Sequence, residues 1–184
     1  RNQFPDAPCQ IARGFHHAFL QRRPMGLGRP RMALSRIRVK EAKRQIVPLS
    51  IDEVSRFWSS FATARDLAIV GLMLLEGLRS AEVLALHPED VLRSEAQLRV
   101  RGKGNKLRFL PLAPETLQLL DHYLRLERPD PCSAALFVSL KGPSRGARMT
   151  AAGLRSLFRY HRHTTGVPLA NPHRFRHTFA SDMV

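Results

Sequence analysis

The sequence has 184 residues, with 30 lysines and arginines against 15 aspartates and glutamates and a formal net charge of +15. A surface this basic repels itself unless a polyanion binds it, so the charge favours nucleic acid as a partner, although ribosomal and other basic proteins share it. The apolar share of 43% is enough for a core, whereas no apolar run is long enough to span a membrane and no signal-peptide pattern opens the chain. The two cysteines, Cys9 and Cys132, have no metal-type spacing, which argues against a disulfide framework and for a reducing intracellular setting.

Residues 1–46 differ in character from the rest of the chain. The stretch "RPRMALSRIRVKEAKRQ" is dense in positive charge and has no clean apolar stripe. We interpret it as a basic linker behind the remnant of a preceding unit, with a solvated arm that contacts nothing as the alternative. The chain starts at an arginine rather than a methionine, so we expect that one end or both have been cut.

From residue 47 the pattern predicts successive helices. Ser50 and Glu53 form a capping-box pattern before an apolar stripe. The apolar run "ARDLAIVGLMLLEG" predicts a buried helix that Gly77 ends. Ser80 is the predicted N-cap of the next helix, "AEVLALH", which Pro88 closes.

A β-hairpin interrupts the helices. In "QLRVRGKGNKLRFLPL" apolar and basic residues alternate on both sides of a glycine-containing turn. Further helices are predicted from about residue 114 to 128 and from about 150 to 163, and a last one begins near residue 171. The fold class is therefore mainly α with a small antiparallel β-sheet, an α+β arrangement.

The closing stretch "NPHRFRHTFASDMV" concentrates hydrogen-bond donors on one helical turn. Asn171 suits the N-cap and Pro172 the first helical position. His173, Arg176 and His177 are three and four residues apart, so they share a side of the helix. Together with the free N–H groups of the first turn they form a candidate phosphate site, and the alternative is a solvated basic helix.

Two further residues stand out earlier in the chain. Arg79 lies in the break between two largely apolar helices, where an arginine is costly without an anionic partner such as Glu82 or a substrate phosphate. Lys103 lies at a glycine-flanked hairpin tip, from which a long amine can reach a neighbouring cleft. The surrounding "GKGNK" lacks the spacing of a Walker A loop, and a solvated turn lysine is the alternative.

Taken together, "GLRSAEVLAL", "VRGKGNKLRFLPL" and "PHRFRHTFASDM" resemble, in order and spacing, the catalytic domain of the tyrosine recombinases, the phage integrase family. The resemblance covers residues 47–184. It implies that residues 47–184 are a recombinase catalytic domain, incomplete at its C-terminus. It also implies that residues 1–46 are the remnant of an N-terminal DNA-binding domain with its linker.

The resemblance assigns chemical roles to four positions. Arg79 matches the family's first catalytic arginine and Arg176 its second, and both would grip the non-bridging oxygens of the scissile phosphate. Guanidinium groups suit those oxygens because negative charge grows there in the transition state. Lys103 matches the general acid for the departing 5′-hydroxyl, and His173 matches the histidine that assists proton transfer or hydrogen-bonds the phosphate.

Other positions are expected to support this chemistry. Glu82 matches the family's acidic position after the first arginine, and we expect a supporting rather than a catalytic role for it and for His177. No metal or other cofactor is expected, because the arginines supply the positive charge. The basic residues expected to contact DNA are Arg101, Lys106, Arg108, Arg148 and Arg174.

The family's nucleophilic tyrosine has no match in these residues. Tyr123 and Tyr160 both precede the final motif and lie on predicted helices, where packing is the expected role. We therefore expect the nucleophile beyond residue 184, and a chain that cannot complete strand cleavage alone.

The resemblance implies a function and a set of partners for the longer protein. It predicts site-specific recombination or integration through a 3′-phosphotyrosyl intermediate on double-stranded DNA, by protomers that form a tetramer on paired sites in the cytoplasm at the nucleoid. A non-catalytic DNA-binding remnant that occupies recombination sites is the alternative. RNA binding is disfavoured because aromatic stacking motifs are missing from the sequence.

Overall fold

The structure, a computed structural model, describes residues 47–102, 104, 106–130 and 133–182. This part of the chain is mainly helical with one small antiparallel sheet, as the sequence predicts. The helices are α1 Ile51–Trp58, α2 Ala64–Leu74, α3 Ser80–Ala85, α4 Pro114–His122, α5 Ala151–Thr165 and α6 Pro172–Asp182, and the strands are β1 Val91–Leu92, β2 Gln97–Arg101 and β3 Leu107–Pro111. Helix α4 continues as a π-helical turn, Tyr123–Glu127. No helix within these residues is long and apolar enough to cross a bilayer, and the predicted linker and domain remnant, residues 1–46, lie outside the described residues.

The first helix begins as predicted. Ser50 Oγ accepts the backbone N–H of Glu53 at 3.2 Å, and a Glu53 carboxylate oxygen accepts the Ser50 N–H at 2.9 Å. This reciprocal pair satisfies two of the N–H groups that lack acceptors at a helix start. Immediately before the cap, the Leu49 N–H donates to Thr178 Oγ1 at 3.0 Å, which ties the start of this part of the chain to α6.

Helix α2 forms the centre of the core. It is buried along its whole length apart from one position and packs against both α4 and α6. Beside it, Phe57 of α1, Phe158 of α5 and Phe175 of α6 form an aromatic cluster with ring centroids 5.2 to 5.8 Å apart. A helix that is apolar on all sides needs neighbours all around it, which is why the other helices assemble on α2.

The predicted hairpin is confirmed, and a short third strand extends it. Strand β2 pairs antiparallel with β3, with Val100 opposite Arg108, and β1 pairs with the other edge of β2. Residues opposite each other in an antiparallel pair share a face of the sheet. Because Val100 is buried, this register turns Arg108 towards the interior, whereas its neighbour Phe109 is exposed.

The start of α3 differs from the sequence prediction by one residue. The sequence predicts Ser80 as the N-cap, but Ser80 is the first residue of the helix and Arg79 is its N-cap. The reason is that the Glu82 carboxylate accepts the Arg79 backbone N–H at 2.8 Å. Glu82 is thus the third residue of the helix, and its carboxylate satisfies the N–H of the N-cap residue, as a glutamate does in a capping box.

His161 of α5 packs among aromatic rings close to this core. Its ring centroid is 3.8 Å from that of Phe61, and Ser60 Oγ lies 2.8 Å from its Nδ1. Burial lowers the pKa of His161, and the Asp66 carboxylate opposes this shift without cancelling it. Between the lowered folded pKa and the unfolded value near 6.5, the unfolded chain therefore binds more protons at this position than the folded protein does.

This difference predicts acid sensitivity of the fold. The contribution of neutral His161 to the free energy of unfolding is fully present above about pH 6.5 and is lost as the pH falls through the folded pKa. The free energy of unfolding should change with a slope of at most about 1.4 kcal/mol per pH unit. Urea denaturation across this range should show that His161→Phe, which keeps an aromatic ring, flattens the pH dependence. His163→Phe, at an exposed position of the same helix, is the matched control. Parallel curves for His161→Phe and the unchanged chain would contradict the assignment.

Candidate active site

Two distant segments meet where α6 crosses the end of α2. The chain leaves α2 through Gly77, whose φ is +66° and whose Cα faces the ring of Phe179 so closely that an added Cβ would overlap it. At the same point Arg176 Nη1 donates a hydrogen bond to the Gly77 carbonyl. Arg79 follows two residues later. This crossing therefore brings the two arginines of the predicted site to one place.

Glu82 is the anionic partner of two arginines beside this crossing. Its carboxylate accepts hydrogen bonds from Arg79 Nη1 and Arg108 Nη1, each at 3.1 Å, and Arg108 Nη2 lies 3.1 Å from its other oxygen. The Glu82 side chain is only 7% exposed. Burial raises the pKa of Glu82, but the hydrogen bonds from Arg108 and from the Arg79 N–H outweigh it and hold the pKa below its usual value. The carboxylate is thus stably ionised.

The site nevertheless keeps an excess of positive charge. Burial lowers the pKa of Arg176, and the neighbouring charges of Arg79 and Arg108 lower it further, while Glu82 raises it. An arginine remains protonated despite such shifts. Three guanidinium groups around one carboxylate leave two positive charges uncompensated, and the Arg79 side chain is 57% exposed. An arrangement of this kind binds an anion, and guanidinium groups match the oxygens of a phosphate.

The start of α6 lies next to this arginine cluster. Asn171 Oδ1 accepts the Arg174 N–H at 3.0 Å, which confirms the predicted N-cap. Exposed His173 lines a cavity of about 360 Å³ together with Ser80, the residue that follows Arg79. The predicted histidine therefore faces a cavity that reaches the arginine-bearing segment. His177 is half-buried on the same helix.

The predicted DNA-contacting residues occupy several different places. Arg101 is exposed at the end of β2 and Lys106 is exposed just before β3. Arg148 Nη2 donates to the Leu84 carbonyl at 2.7 Å and lines a different cleft, and Arg174 Nη1 donates to the Val47 carbonyl. Arg108 belongs to the arginine cluster. Lys103, the predicted general acid, lies outside the described residues.

Sequence reasoning missed two features of the site. It did not pair Arg108 with Glu82, although the alternation of "KLRFLPL" against "QLRVR" places Arg108 opposite a core valine. It also missed the row of arginines on α5, which line the cavity beside His173: Arg155, Arg159 and Arg162. Their spacing of four and three residues predicts one helix face, so the signal was available in the sequence.

Comparison with known proteins identifies the family. The model of the phage integrase family matches residues 48–184. The chain belongs to this family. Tyrosine recombinase XerC of Alcanivorax borkumensis is 31% identical over 170 residues, which cover 86% of this phage integrase family member and 54% of XerC.

Solved structures agree with this membership. The crystal structure of XerA recombinase matches with a TM-score of 0.64 and 33% identity, over 76% of this chain and 51% of that one. The XerH site-specific recombinase bound to palindromic difH substrate shares the fold, with a TM-score of 0.60 at 23% identity over 76% of this chain and 42% of that one. This member of the phage integrase family spans about half the length of the curated relatives that it matches.

The crossing at Gly77 predicts a specific cost of substitution. Gly77→Ala places a Cβ both at positive φ and against the Phe179 ring, so the free energy of unfolding should fall by about 2–4 kcal/mol. Gly166→Ala is the matched control, because Gly166 has φ +65° with open space around its Cα. Gly166→Ala should lower the free energy of unfolding only by the cost of a side chain at positive φ, about 1–2 kcal/mol. Equal losses in urea denaturation would show that the contact with Phe179 does not constrain position 77.

Proposed function

We propose that this chain is the catalytic part of a site-specific recombinase that breaks and rejoins DNA through a 3′-phosphotyrosyl intermediate. The observation that carries the proposal is the convergence of Arg79 and Arg176 on one point with excess positive charge. Membership of the phage integrase family and the similarity to XerC support it.

The arginine cluster suits the transition state of this reaction. When a tyrosine oxygen attacks the phosphorus and the 5′-oxygen departs, negative charge grows on the two non-bridging oxygens. Arg79 and Arg176 would hold those oxygens with preorganised guanidinium groups, and His173 would donate a hydrogen bond to the same phosphate. Glu82 keeps Arg79 at the start of α3 through its contacts with both the backbone N–H and the side chain.

Double-stranded DNA is the proposed partner. The net charge of +15 and exposed residues such as Arg101 and Lys106 would neutralise backbone phosphates on either side of the scissile one. The longer protein would act as protomers assembled on paired sites. That assembly, the target site and the activity of the whole protein are part of this proposal.

The nucleophile is proposed to lie outside these 184 residues. Tyr123 is fully buried, its hydroxyl donates to the Leu136 carbonyl at 3.0 Å and accepts the Val138 N–H at 3.2 Å, and burial raises its pKa. A phenol held in this way cannot reach a DNA phosphate. Tyr160 is 66% exposed on α5, with its ring edge-on to His161, and has no match to the family's nucleophile.

A nicked suicide substrate, which traps the covalent intermediate, tests this assignment. The 184-residue chain should form no covalent adduct with such DNA, whereas the same residues within a longer protein that carries the tyrosine should form one at the 3′-phosphate. Arg176→Ala in the longer protein should abolish the adduct. A non-catalytic remnant would bind DNA and form no adduct in either form. An adduct of the short chain that maps to Tyr123 or Tyr160 would show that the nucleophile is misassigned.

The role of the proposed general acid can be distinguished from the role of the arginines by changing the leaving group of the substrate. In the tyrosine-bearing protein, Lys103→Ala should slow cleavage by about two to four orders of magnitude. A substrate with sulfur in place of the bridging 5′-oxygen has a leaving group that needs no proton, so it should largely restore the Lys103→Ala rate. It should not restore Arg79→Ala or Arg176→Ala, which lose stabilisation of the non-bridging oxygens. Rescue of all three variants, or of none, would refute the assignment of proton donation to Lys103 and of phosphate binding to the arginines. Selective rescue of Lys106→Ala would assign the general acid to Lys106 instead.

A further inference from the structure

The Glu82 carboxylate is held from two elements at once. Oε1 accepts Arg79 Nη1 and Arg108 Nη1, each at 3.1 Å, whereas Oε2 accepts the Arg79 backbone N–H at 2.8 Å and lies 3.1 Å from Arg108 Nη2. Arg108 therefore meets both oxygens with the two prongs of its guanidinium group. Arg79 gives the carboxylate one side-chain nitrogen, and the Arg79 side chain is 57% exposed.

This division of contacts determines what Arg79 can bind. A two-pronged contact is the strongest arrangement between a guanidinium group and a carboxylate. Without Arg108, the buried Glu82 would keep a single side-chain cation and would draw Arg79 into that two-pronged contact. Arg79 would then be occupied by Glu82 at the moment when a phosphate needs it.

The same guanidinium group also contacts the base of the hairpin. A Cβ added to Gly102 would lie 2.8 Å from Arg108 Nη1, so the glycine leaves just enough room for the arginine. The Gly102 N–H donates to the Lys106 carbonyl at 2.9 Å and closes the base of the turn. Gly102 therefore lies against a side chain that is held by Glu82.

We propose that Arg108 is a positioning residue: from β3 it occupies both oxygens of the Glu82 carboxylate, so that Arg79 stays free to bind the scissile phosphate. Through its contact with Gly102, the same guanidinium group also positions the base of the hairpin. This inference rests on the proposed function and adds to it a residue that acts without touching DNA. It replaces direct DNA contact, the role that the sequence predicts for Arg108.

A joining reaction that needs no tyrosine tests the proposal in the 184-residue chain. The substrate is duplex DNA whose 3′-phosphate at a nick is esterified to p-nitrophenol. The 5′-hydroxyl across the nick loses its proton to a base and its oxygen bonds to phosphorus, while the bond from phosphorus to the nitrophenolate oxygen breaks. The released nitrophenolate is measured by its absorbance, and DNA affinity is measured at several salt concentrations.

The decisive comparison is a double-mutant cycle. Arg108→Gln should slow joining by about tenfold to a hundredfold, because Glu82 then captures Arg79. Adding Glu82→Gln removes the capturing charge, so the double variant should be at least severalfold faster than Arg108→Gln alone. Arg108→Lys keeps the charge but has no fork, so it should also slow joining in a protein that folds.

Salt dependence distinguishes a positioning residue from a DNA contact. Arg101→Gln, at the exposed end of β2, should lower the slope of log affinity against log salt by about 0.9, the value for one lost phosphate contact. In the double variant Arg79 is again free to hold the scissile phosphate, so this variant should keep the slope of the unchanged chain although it lacks Arg108. The proposal would be overturned by a double variant whose slope is lowered as in Arg101→Gln, or that is no faster than Arg108→Gln. Full activity of Arg108→Lys would overturn it as well. An unchanged chain that binds DNA but joins nothing would instead contradict the proposed function, and the positioning role with it.

Discussion

The close crossing of α6 over the end of α2 is the contact on which the candidate site depends. Gly77 permits it in two ways, since its positive φ lets the chain turn away after α2 and its missing side chain admits the Phe179 ring. The Arg176 guanidinium group then bonds to the carbonyl of the same glycine. A single residue without a side chain thus links the two segments whose arginines define the site. The aromatic cluster and the bond between Leu49 and Thr178 hold α6 in this place.

Charge balance at the crossing decides what the site can bind. The buried Glu82 carboxylate forms ion pairs with Arg79 and Arg108, and the charge of Arg176 lies close by, so the cluster still attracts an anion. Fixed positive charge of this kind needs little reorganisation when a phosphate enters, which is the property that electrostatic stabilisation of a transition state requires. The cost of burying Glu82 is offset because both of its oxygens accept hydrogen bonds.

Local features of the fold could be predicted from the sequence, and long-range contacts could not. The capping box at Ser50, the turn at Gly77 a few residues after α2 and the hairpin depend on neighbouring residues, and the types of those residues predict them. The predicted N-cap of α3 was wrong by one residue, because Glu82 accepts the Arg79 N–H and Ser80 is already the first residue of the helix. The contact of Arg176 with Gly77 and the fork of Arg108 on Glu82 join residues far apart in the chain. Nothing in their local sequence specifies them.

Phosphate binding by Arg79 and Arg176 together is tested most directly by a crystal structure of this chain with a nicked duplex that carries a 3′-phosphate at the nick. A shared phosphate site predicts oxygens of that phosphate within about 3 Å of guanidinium nitrogens from both Arg79 and Arg176, with Arg108 still bound to Glu82. A phosphate held by only one of these two arginines, or bound away from the crossing at Gly77, would contradict it.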